Sequence, residues 1–144
     1  MKWDLTEIYS DFEKWDEDFD LVSSKIESLS SFKGLFVSKT SNELPVDVFN
    51  ENLFNYLTLQ LEISNILEKL YSYAFLYKDT NMNDEKGFEL LELVSNLSTK
   101  ISSVTSSFEP EILTHSYDDF ISLISKDVRC NRYLLKVRSF LSFL

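Results

Sequence analysis

From Val46 to Lys78 the chain runs without a proline or a glycine, and this unbroken stretch constrains the fold more than any other feature. Leu44-Pro45 marks its start, because a proline at or before the first turn of a helix removes no hydrogen bond that the helix needs. Thr58, Glu62, Asn65, Lys69 and Ser72 recur at steps of four and three, which aligns a narrow polar strip along a helix. One flank of the strip carries Leu59, Ile63, Ile66, Leu70, Tyr73 and Tyr77; the other carries Leu57, Leu61, Tyr71 and Phe75. A helix that is apolar on two flanks requires neighbours on both. The spacing therefore predicts a long central helix at about 46–78 in an all-α antiparallel bundle of five to six helices, a single helical domain over 1–144.

Composition points the same way. Two glycines and two prolines in 144 residues are too few for a turn-rich β sandwich or barrel. A net charge of −10 disfavours nucleic acid and anionic membrane surfaces, both of which select basic patches. One cysteine, Cys130, cannot close an internal disulfide, which fits a reducing cytoplasm. Met1 to Ser10 has no apolar leader, and no run approaches the roughly eighteen apolar residues of a membrane span. The expectation is a cytoplasmic protein with neither nucleic acid nor membrane as partner.

Ahead of the central stretch, Phe12, Trp15, Phe19, Val22, Ile26 and Leu29 step by three and four, predicting an amphipathic helix closed near Gly34 by a left-handed residue. Leu35 to Glu43 reads as a polar connector. After the central stretch, Asp79 to Asp84 is rich in turn and cap formers, and a third helix places Phe88, Leu91, Val94, Leu97, Ile101, Val104 and Phe108 on one side. Pro110 interrupts it. Ser116 is positioned as the N-cap of a short helix through Phe120, Ile121 and Ile124. A last helix from about Val128 aligns Tyr133, Val137, Phe140 and Leu144.

No constellation of catalytic type stands out. Asp79, Asn81 and Asn83 alternate like the first ligands of a calcium loop, but the sixth position is Asp84 where the turn needs glycine. The twelfth is Leu90 where a bidentate glutamate is needed, so helix capping is the better reading. Asp16, Asp18 and Asp20 splay around a helix axis and read as a charged helix start. His115, the single histidine, reads as a loop or cap residue, since a zinc site draws on several histidines or cysteines. Cys130, between Arg129 and Arg132, reads as an ordinary helical thiol. Catalytic, cofactor-binding and metal-binding residues are all expected to be none.

Five phrases in order nonetheless resemble the N-terminal region of the oligoendopeptidase F family, zinc metallopeptidases related to thimet oligopeptidase. Trp3-Asp4-Leu5-Thr6-Glu7-Ile8-Tyr9 resembles the family's W-D-L-x-x-L-Y start, and Phe32-Lys33-Gly34-Leu35 its F-x-G-x-L loop. Leu70-Tyr71-Ser72-Tyr73-Ala74 with Asp79-Thr80 resembles its L-Y-x-Y-A helix and D-T turn. Ser106-Ser107-Phe108-Glu109-Pro110-Glu111-Ile112-Leu113 resembles its S-x-F-x-P-E-I-L segment, and Tyr133-Leu134 the Y-L that follows. Beyond it the family runs on through an Arg/His-containing segment that Arg138 to Leu144 does not follow.

The resemblance implies a part of a zinc peptidase that does not itself cut. In the full-length family an H-E-x-x-H helix and a later glutamate hold the zinc, which polarises the peptide carbonyl and activates water. No such motif occurs in this chain, so no cofactor is expected in it. The expected role is that of an N-terminal helical domain walling the substrate channel for short peptides. Its expected partners are the missing catalytic domain, or other copies through exposed apolar surface, including the Phe140–Leu144 end. A free-standing acidic helical protein-interaction module is the alternative.

Overall fold

Asp11 accepts the backbone N–H of Lys14 at 2.9 Å and so caps α1, Phe12–Ser30, at its first turn. The computed structural model describes residues 5–37 and 45–127. Along α1 the residues Trp15, Val22, Ile26 and Leu29 are buried, with Phe12 and Phe19 half-buried beside them, as the spacing predicts. Each such burial contributes about 1.5–3 kcal/mol. Past Ser30 the chain closes with turn bonds such as Lys33 N–H to the Ser30 carbonyl, and Gly34 has φ +87°, the left-handed region that glycine enters freely.

Helix α2, Val46–Thr80, starts where Pro45 offers its carbonyl to the N–H groups of Val48 and Phe49. It ends at Asn81, whose backbone and side-chain N–H groups both reach the Tyr77 carbonyl. Helix α3, Lys86–Thr105, follows a short turn in which Asp84 Oδ1 accepts the Lys86 N–H at 2.9 Å. Pro110 falls inside the first turn of the short helix α4, Phe108–Ile112, rather than bending α3. Ser116 has extended backbone and accepts the Asp119 N–H, the cap expected for α5, Tyr117–Ile124. Among the described residues all regular structure is helical, and a single 3₁₀ turn, Leu5–Glu7, precedes α1. The expected last helix from Val128, Cys130 and the Phe140–Leu144 end lie outside the described residues.

Packing groups these elements into two compact units, and α2 supplies residues to both. The first takes α1 up to Ser28, α2 from Leu61 and α3 up to Ser103. Its register is set by the Trp15 indole N–H, which donates to the Leu70 carbonyl at 3.1 Å, and by Lys25, which meets Glu62 at 2.8 Å. Because position numbers rise along α1 as they fall along α2, the two helices are antiparallel. Rings close the same seam: Tyr9 packs edge-on to Tyr73, and Phe12 edge-on to both Tyr73 and Tyr77.

On the other side of α2, α3 approaches through Gly87. A Cβ there would lie 2.6 Å from the Cα of Lys78, so only glycine allows the two backbones to meet. This close approach selects the buried face of α3, which is Gly87, Leu90, Val94 and Leu97. The expected face ran one residue later at its start. Phe88 is 55% exposed, with the Lys78 ammonium 4.9 Å from its ring centre, because Gly87 takes the inward position.

The second unit comprises Leu29–Gln60 and the chain from Val104. Its core is aromatic: Phe36 packs edge-on to Phe49, Tyr56 and Phe108, and Tyr56 stacks on Phe108 at 4.4 Å. Phe36 is only 1% exposed, so the segment from Leu35 does not begin as the polar connector its composition suggests.

Candidate interaction surface

Among the described residues, a buried polar cluster and an exposed apolar flank stand apart from plain core-and-surface partition. The cluster is a clamp in the second unit, and the flank lies in the first.

The clamp holds the backbone of Phe36. Its N–H donates to Glu111 Oε1 at 3.2 Å, and its carbonyl accepts from His115 Nε2 at 2.8 Å, which assigns the imidazole proton to Nε2. Both side chains are 7% exposed, and His115 packs against the rings of Phe49 and Phe120, which also meet each other. Burial pushes the Tyr56 phenol well above its usual range, and the Glu111 charge adds to the effect. His115 thus occupies the loop before α5, as expected, and there acts as a buried structural donor. In the sequence Glu111 stands within the F-E-P-E-I-L phrase, where nothing local announces that its carboxylate turns inward.

The flank belongs to α2. Sequence spacing assigns Leu57, Leu61, Tyr71 and Phe75 to one apolar side with a neighbour over it. Leu57 is buried, but Leu61, Tyr71 and Phe75 are 42%, 48% and 46% exposed, so among the described residues nothing fully covers that side from Leu61 onward. The reason lies in what α1 and α3 claim. Lys25 of α1 takes Glu62, Tyr9 lies under the Lys69 ammonium at 4.5 Å, and α3 is drawn to Lys78 by Gly87. Tyr71 and Phe75 stack on each other with ring centres 6.5 Å apart. Beside them runs a groove of about 280 Å3 lined by Ser64, Leu67, Glu68, Tyr71, Ser72 and Ser98. Its lining offers apolar surface, hydroxyls and one carboxylate.

The remaining candidate residues find local roles. Asp84 caps α3 and accepts the Tyr77 hydroxyl at 2.6 Å, and Asn81 caps α2, in keeping with the capping reading of that turn. Asp18 accepts the Tyr9 hydroxyl at 2.7 Å, while Asp16 and Asp20 are exposed. Among the described residues no group of three or more His, Cys, Asp or Glu could hold a metal ion. None of the described helices is long and apolar enough to cross a membrane.

Comparison with known proteins gives relatives of one kind. The chain is 30% identical over 112 residues to an oligoendopeptidase F homolog of Borreliella burgdorferi, a match covering 78% of this chain and 17% of that protein. It is 28% identical over 116 residues to oligopeptidase PepF of Bacillus subtilis, covering 81% of this chain and 16% of that one. Over 123 residues it is 26% identical to group B oligopeptidase PepB of Streptococcus agalactiae, covering 85% and 19%. The chain therefore spans less than a fifth of the length of these curated relatives. No family model matches it, and no solved structure does.

Proposed function

The chain belongs to the oligoendopeptidase F family as one region of it, and from that premise we propose that it is a non-catalytic N-terminal helical part of such a peptidase. Its work is to wall the path by which short peptides reach a catalytic zinc held elsewhere, and its place is the cytoplasm. The observation that carries this reading is the partial match itself: most of this chain aligns, and most of each relative is left over. The content of the chain agrees with a supporting role. The sequence holds one histidine, which rules out an H-E-x-x-H motif, and that imidazole is committed to the Phe36 carbonyl. The natural partner on this reading is the catalytic body of a family member.

Incubation of the purified 144-residue chain with short peptides and zinc, with a chelator control, tests the proposal. No cleavage above the control is expected. Zinc-dependent hydrolysis that follows the protein through purification overturns it.

A further inference from the structure

The contact of Gly87 with Lys78 sets the level at which α3 runs back along α2. Ser98 lies eleven residues past Gly87 and Leu67 eleven before Lys78, so the antiparallel pair brings Ser98 beside Leu67 and Glu68. Side chains are short there. Ser64, Glu68 and Ser72 follow one another at steps of four along α2, and Leu67 and Tyr71 form the adjoining row. The groove of about 280 Å3 thus holds a single carboxylate between two hydroxyls, with an apolar and aromatic strip at its side.

Glu68 is exposed, and no ion pair among the described residues includes it. The nearby cations are engaged: Lys25 meets Glu62, and Lys69 lies over the Tyr9 ring. A carboxylate beside an aromatic ring suits a guanidinium better than any other cation. The planar fork of N–H donors matches both carboxylate oxygens, its face stacks on a ring, and its remaining donors reach flanking hydroxyls. A lysine ammonium, as a point charge, gains less from Tyr71. We propose that the groove takes the arginine side chain of a short peptide. The guanidinium pairs with Glu68 against the Tyr71 ring, and an apolar neighbour in the peptide rests on Leu67. The chain's net charge of −10 draws such a peptide in and turns an acidic one away. This inference rests on the proposed place of the chain beside the path of short peptides, and adds which peptides that wall favours.

An NMR titration of the 144-residue chain with N-acetylated, C-amidated leucyl-arginine tests it, the blocked ends leaving the guanidinium as the peptide's charge. Binding with a Kd on the order of 1 mM is expected for so open a site, with amide shifts centred on Ser64, Glu68, Ser72 and Ser98. The citrulline analogue, alike in shape but neutral, should bind about fivefold more weakly, and added salt should weaken the arginine peptide. Leucyl-leucine amide, whose charge is a free α-amino group, should also bind more weakly than the arginine peptide. Glu68→Gln and Tyr71→Ser should each weaken binding about threefold. Glu13→Gln, which removes an equal charge from an exposed site on α1, should leave it unchanged, while circular dichroism confirms that all variants stay folded. Equal binding of the citrulline peptide, indifference to Glu68→Gln, or shifts spread over the acidic surface overturns the inference and leaves the supporting role standing. That role fails separately, on zinc-dependent hydrolysis by the chain.

Discussion

The imidazole of His115 donates a 2.8 Å hydrogen bond to the carbonyl of Phe36, a residue 79 positions earlier in the chain. The N–H of that same Phe36 is held by Glu111, so two polar side chains from one short segment fix both backbone groups of a buried aromatic residue. Buried backbone groups must be paired, and here no helix or sheet is available to pair them. The F-E-P-E-I-L phrase and the lone histidine thus stabilise the turn that follows α1.

Removing either partner should show this directly. His115→Ala leaves the Phe36 carbonyl without its donor, and Glu111→Ala leaves its N–H without an acceptor; each should lower stability by about 1–3 kcal/mol. Glu111→Gln keeps an acceptor oxygen and should lose less. Urea unfolding at constant m-value measures the order. Equal stabilities for wild type and His115→Ala would show that the clamp contributes nothing.

Gly87 poses a contest between two effects of opposite sign. Alanine is ordinarily the better helix residue, by up to about 1 kcal/mol in a helix interior and by less in the first turn, where Gly87 lies. At Gly87 the added methyl would sit 2.6 Å from the Cα and 2.8 Å from the Cβ of Lys78, and a backbone atom cannot swing aside. Overpacking of this kind costs about 1–3 kcal/mol, so steric conflict should win. Thermal unfolding of Gly87→Ala should give a lower Tm than wild type; a higher one means α3 does not approach α2 as closely as described.

The pair Tyr77 and Asp84 should leave a mark on the pH dependence of stability. The Tyr77 phenol is raised from 10.0 to about 12, chiefly by its hydrogen bond to Asp84, while that bond and the Lys86 N–H hold the Asp84 carboxyl below its usual range. Between pH 10 and 12 the folded protein keeps a proton on Tyr77 that the unfolded chain has released, so this stability is present below pH 10 and lost as pH rises. On the acid side the unfolded chain binds the proton first, so the Asp84 contribution is present above the ordinary carboxyl range and lost as pH falls through it. Tyr77→Phe should make the alkaline decline shallower without abolishing it, because Tyr9, Tyr56 and Tyr73 are raised as well. Asp84→Asn should flatten the acid limb while keeping an acceptor for the α3 cap. Denaturant midpoints across pH 3 to 12 read both, and unchanged profiles would refute the coupling.

Some of this molecule is plain in its sequence, and the reason is locality. Phe12 to Leu29 step around one face of α1, Ser116 sits three residues before the N–H it caps, and Gly34 lies four residues past the last residue of α1. Each of these signals acts within a turn or two of itself. The α3 register was harder to read, since Gly87 has no side chain with which to announce a buried position, and Phe88 beside it looks the better core residue. Phe36 opens a connector with no helical period and is buried where residues 75 and 79 positions away come to meet it. The family relationship was legible for a different reason, being carried by short phrases that keep their order whatever the packing does.

By itself the sequence determined that the described part of the chain is helical, about where α1, α2 and α5 start, and which residues on each helix are apolar. Helix caps and periodicity settle those matters within a few residues. Only the tertiary structure decided which apolar flank of α2 is covered. Leu61, Tyr71 and Phe75 are chemically no different from the residues facing α1, and the choice between flanks follows from where Trp15 and Gly87 bring their helices against α2.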